Sequence, residues 1–141
     1  MKYLLDTNVI SELIARKPNQ QIVDWIDSLD PETVYLSVIT IGELRKGIEK
    51  LAPSRRKDEL TLWLETDLSL RFAEKLVDIT IDVMLVWGEL TGRLEREGKT
   101  MAAIDSLIAA SVLEGKYTLV TRNESDFQHT GVPLVNPWKL H

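Results

Sequence analysis

Short apolar segments alternate along this chain with longer stretches of helical periodicity. Apolar runs of strand length occur at residues 3–5, 34–36, 77–79, 117–120 and 133–135. Helical spacing of apolar residues extends up to residue 14 and recurs at residues 21–29, 40–50, 53–68, 81–96 and 101–113. Because strands separated by helices normally form parallel sheets, the pattern predicts an α/β fold. We expect a central parallel sheet of about five strands, flanked by helices on both faces, with functional residues beyond the carboxyl ends of the strands.

Length and composition indicate one globular domain spanning residues 1–141. The apolar runs are too short to cross a membrane, and an acid at position 6 comes too early for a secretory signal. Because the chain also lacks cysteine, we expect a cytoplasmic protein without disulfides or thiolate metal sites. The formal net charge of −5 counts mildly against nucleic-acid binding by bulk charge, although it suits a basic protein partner.

Two acids lie where a predicted strand gives way to a helix. Asp6 directly follows the first strand, where it would also fit as the N-cap of the next helix. Glu43 follows the second strand, and Thr40 and Glu43 match a capping box in which the glutamate folds back on the cap residue. Lys46, Gly47 and Lys50 share the predicted helix face of Glu43, and the small Gly47 between the two lysines leaves room for a phosphate backbone. Each acid therefore has a structural alternative to a functional one.

Asp105 is the only charged residue between Lys99 and Glu114, in a stretch that is apolar on most sides. Such a helix is buried, and a buried carboxylate needs a partner such as a metal ion. The alternative is a first-turn acid favoured by the helix dipole. Asp126 follows the fourth strand in a polar loop, where an Asx turn is the alternative.

These four acids are spread over the whole chain, yet each follows a predicted strand or begins a helix, so they can converge at one edge of a parallel sheet. Oxygen ligands, with no cysteine and no histidine pair at helical spacing, favour magnesium or manganese over zinc. Carboxylates held close together repel one another unless a cation neutralises them. The four tryptophans, Trp138 among them, are expected to pack in the core or at an interface.

Four segments of the chain, in this order, resemble the motifs of PIN domains, including those of VapC- and FitB-type toxins. They are residues 4–11 (LLDTNVIS), 37–47 (SVITIGELRKG), 103–110 (AIDSLIAA) and 120–127 (VTRNESDF), followed by NPW at 136–138. The resemblance covers nearly the full chain. It implies a sheet of about five parallel strands and an endoribonuclease that depends on one or two magnesium or manganese ions.

The resemblance also implies which residues form the site. Asp6, Glu43 and Asp105 would be the catalytic metal ligands. The fourth acid is ambiguous, because some relatives place it where this chain has Asn123 and others at the position of Asp126. We expect Asp126 as the ligand, with Asn123 orienting it or a bound water. The remaining expected residues support the ligands or the substrate: the hydroxyls of Thr7 and Thr121, and Lys46 and Arg122 on the RNA backbone.

For toxins of this kind, the resemblance implies a homodimer that belongs to a type II toxin–antitoxin pair. The antitoxin would be a DNA-binding protein that inserts an arm into the site, and the substrate would be RNA. The main alternative is a PIN fold that binds RNA or a protein partner without cutting. A DNA nuclease or a phosphatase built on the same acids also remains open.

Overall fold

The computed structural model describes residues 1–140, and the predicted domain boundary at His141 lies outside it. The strands are β1 Tyr3–Leu5, β2 Val34–Ser37, β3 Leu76–Val77, β4 Thr118–Val120 and β5 Leu134–Val135. The α-helices are α1 Thr7–Leu13, α2 Gln20–Asp27, α3 Val38–Glu49, α4 Arg55–Leu62, α5 Ser69–Arg71, α6 Ile81–Arg96 and α7 Ala103–Gly115. Short 3-10 helices lie at Pro31–Thr33 and Glu124–Phe127, and a π-helical segment, Trp63–Leu68, joins α4 to α5.

The strands form one parallel sheet in the order β3-β2-β1-β4-β5. The chain moves outward from β1 to β3 on one side and then places β4 and β5 on the other. The direction of winding therefore reverses beside β1, and ligands of open α/β sheets bind beyond the carboxyl ends of the strands at such a reversal. The predicted five-stranded parallel sheet is confirmed. Asp6 and Thr121 directly follow the two strands that flank the reversal.

Helices cover both faces of the sheet, as predicted. Because side chains alternate along a strand, Leu5 of β1 points to one face and Leu4 to the other. Leu5 packs with residues of α1, α2, α3 and the π-helical segment, whereas Leu4 packs with residues of α6 and α7. Among the described helices, none is both long enough and apolar enough to cross a membrane.

Several element boundaries differ from the sequence prediction by one or two residues. The third strand ends at Val77 rather than residue 79, because the chain turns there toward Thr80, which caps α6. The helix predicted from Thr40 begins at Val38, two residues earlier. The last long helix includes Gly115 and ends where Lys116 takes a left-handed conformation with φ of 58°.

Candidate active site

Asp6 is fixed at the carboxyl end of β1 by bonds to both of its carboxylate oxygens. Oδ1 accepts a 2.8 Å hydrogen bond from the backbone N–H of Thr7, so Asp6 caps α1. Oδ2 accepts from the Thr121 hydroxyl at 2.8 Å and from the Asn8 amide at 3.2 Å. Burial raises the pKa of Asp6, although these hydrogen bonds oppose the rise. The cap that the sequence offered as an alternative is therefore real, and the same carboxylate lines a cleft.

Glu43 does not form the capping box that the sequence allowed. Ser37 caps α3 instead, its hydroxyl oxygen accepting a 3.0 Å hydrogen bond from the N–H of Ile39. Thr40 is consequently buried inside the helix, with its hydroxyl oxygen 3.0 Å from that of Thr7. Glu43 extends across to α1, where its Oε1 accepts a 2.6 Å hydrogen bond from the Thr7 hydroxyl. The capping-box alternative is therefore wrong, because a long-range partner replaces the local one.

Asp105 lies half-buried in the first turn of α7. Burial raises its pKa to about 6, with further contributions from the negative charges of Asp126, Asp6 and Glu43, in that order. The helix dipole favours an acid at this position, yet the raised pKa means that burial and repulsion outweigh that effect. Asp105 thus lies within the electrostatic reach of the other three candidate acids.

Asp126 and Asn123, the two candidates for the fourth position, occupy different places. Asn123 lines the cleft, and its N–H donates a 3.1 Å hydrogen bond to the Thr121 hydroxyl oxygen. Asp126 lies three residues on, exposed in the 3-10 helix that follows. It does not line the cleft, but among the neighbouring charges it has the largest effect on the pKa of Asp105.

One cleft of about 480 Å³ brings most of the predicted residues together. Its walls include Asp6, Glu43, Asp105, Arg122, Asn123 and Trp138. Thr7 also lines it, whereas Thr121 is buried behind Asp6. Lys46 lines an adjoining, more apolar cavity of about 540 Å³, which shares Glu43 with the cleft and also contacts Lys50.

The acids fit a hard divalent cation because no cationic side chain in the described part of the chain pairs with them. No lysine or arginine among residues 1–140 forms an ion pair with any of the four. As the side chains stand, no three acidic, histidine or cysteine groups in this part of the chain are close enough to hold one ion together. The charges nevertheless act on one another, as the pKa of Asp105 shows. Oxygen donors that repel one another are suited to magnesium or manganese.

Sequence reasoning did not assign four residues that line the cleft to the site, namely Asn8, Ser11, Glu12 and Trp138. Asn8 bridges the ends of β1 and β4, because its amide donates to Asp6 and Thr121 and its carbonyl oxygen accepts from the N–H of Arg122 at 3.2 Å. Its position two residues after Asp6 was a usable signal. Trp138 packs against the core as predicted, but it also lines the cleft. No periodicity in the sequence indicates that second surface.

Comparison with known proteins accounts for this arrangement. The sequence profile of the PIN domain matches residues 3–133. The chain belongs to the PIN-domain family.

Three relatives match this PIN domain over nearly their full length. Plasmid stability protein StbB of Pseudomonas syringae pv. tomato is 38% identical over 136 residues, which is 96% of this chain and 98% of that protein. Toxin FitB of Neisseria gonorrhoeae is 38% identical over 96% of this chain and 97% of its own. VapC ribonuclease Y4jK of Sinorhizobium fredii is 32% identical over the same shares.

Solved structures agree with the PIN fold. FitAcB from Neisseria gonorrhoeae superposes with a TM-score of 0.92 at 38% identity, covering 98% of this chain and 99% of that one. VapBC2 from Rickettsia felis, bound to a DNA fragment from the promoter, superposes with a TM-score of 0.81 at 27% identity, covering 96% and 98%. The resemblance noted from the four motifs is thus confirmed at the level of family and fold.

Proposed function

We propose that this PIN domain is a metal-dependent endoribonuclease that hydrolyses RNA phosphodiester bonds. The observation that carries the proposal is the opening of Asp6, Glu43 and Asp105 onto one cleft, where none of them forms an ion pair with a lysine or arginine among the described residues. The names of relatives support the reaction, since one at 32% identity is a VapC ribonuclease.

Asp6, Asp105 and Glu43 would hold magnesium or manganese, with Asp126 as the fourth acid. When bound, such an ion supplies positive charge against the scissile phosphate and acidifies water beside it. Asp6 is already aimed by Thr121 and Asn8, so it loses little freedom on binding. Asp105 has a pKa of about 6 and must be ionised to act as a ligand, so it is ready at neutral pH.

The chain's own side chains position the remaining reactants. Water attacks the phosphorus in line, the bond from phosphorus to the 3′-oxygen breaks, and the products carry a 5′-phosphate and a 3′-hydroxyl. Glu43, held by Thr7, and Asp126 would complete the set of metal ligands or accept a proton from the attacking water. Lys46 and Arg122 lie at the edges of the acid cleft and its neighbour, where they hold the RNA backbone.

The proposal includes a biological setting, in which this ribonuclease is the toxin of a type II toxin–antitoxin pair. Support comes from relatives named toxin FitB and plasmid stability protein StbB, and from the structural neighbour VapBC2, which was solved bound to a DNA fragment from its promoter. The partner would be a DNA-binding antitoxin with a basic arm that enters the acidic cleft. Both the RNA substrate and such a partner belong to the cytoplasm, so we place the protein there.

A homodimer is part of the same proposal. The first turns of α6 carry Ile81, Met84 and Leu85 on one helix face, and all three are exposed. Ile81 is 80% exposed and Leu85 62%. Apolar side chains grouped in this way typically mark an interface between proteins.

The decisive experiment is cleavage of end-labelled total small RNA by the purified chain, freed of any antitoxin. Reactions contain magnesium, manganese or EDTA, and the Asp6→Asn and Asp105→Asn variants are run beside the parent. We expect cuts that need the metal, leave 5′-phosphates and disappear in both variants. Single-stranded DNA and a phosphomonoester, digested in parallel, test the other substrates that such acids can serve.

Each other result points to a specific failure. Cleavage that survives EDTA and both substitutions means a contaminant or a different chemistry. Folded protein that binds RNA but cuts none of it, with either metal, supports the non-cleaving binding module. Cleavage confined to DNA or to the monoester would mean that the acid site is catalytic but that its substrate is not RNA.

A further inference from the structure

Arg122 and Trp138 form one wall of the acid cleft. Both residues line it, and the guanidinium carbon of Arg122 lies over the indole ring of Trp138, 5.3 Å from the ring centroid. This is the geometry of a cation–π contact, which holds a guanidinium against an aromatic face. Arg122 is exposed, whereas Trp138 is half-buried and packs against the core. We call the pair the Arg–Trp wall.

The segment that carries Trp138 is held by side-chain hydrogen bonds to Arg122 and to α2. Asn136 is buried; its amide donates to the carbonyl of Arg122 at 3.3 Å, and its own side-chain oxygen accepts from the N–H of Trp138 at 3.0 Å. From α2, the amide of Gln21 donates to the carbonyl of Pro137 at 3.0 Å. One amide side chain therefore connects the two residues of the wall, so their relative position is fixed by more than the contact between them.

The chemistry of the wall exceeds what an anchor for phosphate requires. A lysine can also bind a phosphate, as a point charge, and Lys46 lines the neighbouring cavity. A planar guanidinium supported by an indole ring adds a flat, cationic surface. Single-stranded RNA is recognised through bases stacked on aromatic rings or on guanidinium planes. Within residues 1–140, no carboxylate forms an ion pair with Arg122, so its charge is available to a ligand.

We propose that the Arg–Trp wall is a nucleobase subsite, in which a base adjacent to the scissile phosphate stacks on the guanidinium of Arg122 while Trp138 supports it from behind. The inference rests on the proposed ribonuclease function and adds to it a contact with a base rather than with the backbone. Trp138 is accordingly a positioning residue, and Arg122 touches the substrate.

The test compares two hexanucleotides of equal charge, oligo(rA) and the same ribose-phosphate backbone without bases. Both carry a fluorophore, and binding is measured by fluorescence anisotropy in magnesium. Every protein carries Asp105→Asn, so that the oligonucleotide stays intact. The variants are Arg122→Lys, which keeps the charge and loses the plane, and Trp138→Leu, which keeps an apolar side chain and loses the ring. Arg55→Lys on α4, equally conservative and outside the cleft, is the matched control.

We expect the reference protein to bind oligo(rA) about tenfold more tightly than the abasic backbone, the gain typical of stacking one base. Arg122→Lys should bring the ratio close to one, because it weakens binding of oligo(rA) far more than binding of the abasic backbone. Trp138→Leu should reduce the ratio in the same way, and Trp138→Phe should restore most of it. Arg55→Lys should match the reference protein in both affinities.

The outcomes separate this proposal from the one it rests on. Equal binding of both hexamers by the reference protein, or a preference that Arg122→Lys leaves intact, overturns the base subsite and leaves the ribonuclease in place. Failure to bind either hexamer overturns RNA binding itself, and the base subsite with it. Arg122 is exposed, so folding of Arg122→Lys is not in question, and the result does not depend on Trp138→Leu alone.

Discussion

The Thr7 hydroxyl donates a 2.6 Å hydrogen bond to Oε1 of Glu43 and thereby joins the first turn of α1 to the middle of α3. The same threonine gives its backbone N–H to Asp6. Thr7 therefore orients two acids of the cleft: its backbone N–H binds Asp6, and its hydroxyl binds Glu43. Groups that orient metal ligands in this way commonly affect activity nearly as much as the ligands do.

Replacing Thr7 by valine should lower kcat/KM for RNA cleavage by about tenfold or more, because Glu43 loses the one hydroxyl that binds it among residues 1–140 and turns more freely. The backbone bond to Asp6 is retained, so the free energy of unfolding should fall by only about 1 kcal/mol. Steady-state cleavage and urea denaturation measure the two effects. Thr7→Ser is the control and should restore most activity. If the valine variant kept the parental kcat/KM, the Thr7 hydroxyl would have no role in catalysis.

Thr121→Val tests the bond that holds Asp6 from β4. The isosteric valine leaves Oδ2 of a buried carboxylate without its 2.8 Å donor, which should cost about 1–3 kcal/mol of unfolding free energy at neutral pH. The substitution also raises the pKa of Asp6 further, since this hydrogen bond is what chiefly opposes the effect of burial. Urea denaturation across pH should therefore show the penalty shrinking as acid protonates Asp6. Thr121→Ser should behave like the parent, and a pH-independent loss would point to packing alone.

The sheet and the approximate site were predictable because they depend on local patterns. A strand buried on both faces is a short apolar run, and the parallel order follows from the helices between such runs. Asp6 was predicted at the site because it directly follows a strand, and parallel strands end at the same edge. Thr121 was expected there only from the resemblance to PIN domains.

The partners of the acids were not predictable, because they are distant in sequence. Glu43 is bound by Thr7, 36 positions away, and that contact overrides the capping box suggested by the residues between Thr40 and Glu43. Trp138 gave no sign of facing a cleft, because its place in the wall depends on Asn136 and on Gln21 of a distant helix. The local sequence indicates which segments prefer helix or strand, whereas these contacts between distant residues form only in the folded chain.

Asp126→Asn addresses which residue serves as the fourth acid. Asp126 is exposed outside the cleft lining but acts on Asp105 through its charge. We expect the substitution to reduce cleavage by about tenfold, well short of the loss in Asp105→Asn, and to lower the pKa of Asp105. Kinetics and NMR titration of the Asp105 carboxyl measure both. Asn123→Ala, compared in the same assays, should leave that pKa unchanged. A larger kinetic loss in Asn123→Ala than in Asp126→Asn would reverse our assignment.

Leu85→Glu should convert the proposed dimer to a monomer, because it places a charge in the exposed apolar face of α6. Sedimentation velocity at micromolar concentration measures the change in mass. Leu62→Glu is the matched control, since Leu62 on α4 has the same exposure of 62% as Leu85. The control should remain dimeric. If the parent is a monomer, or if both variants stay dimeric, α6 is not the interface.

Asp105→Asn should stabilise the metal-free protein while abolishing cleavage. The folded-state pKa of about 6 lies above the ordinary aspartate pKa of 3.8, so the ionised form opposes folding above pH 6 and the penalty disappears as pH falls toward 4. Allowing for solvent screening of a half-buried group, we expect a gain of about 1 kcal/mol in unfolding free energy at pH 7.5 in EDTA, and none at pH 4. Magnesium should reverse the order, because it stabilises only the parent. Thermal denaturation at both pH values, with and without the ion, measures this. An asparagine variant less stable than the parent in EDTA would mean that burial and the neighbouring carboxylates do not destabilise the ionised form of Asp105.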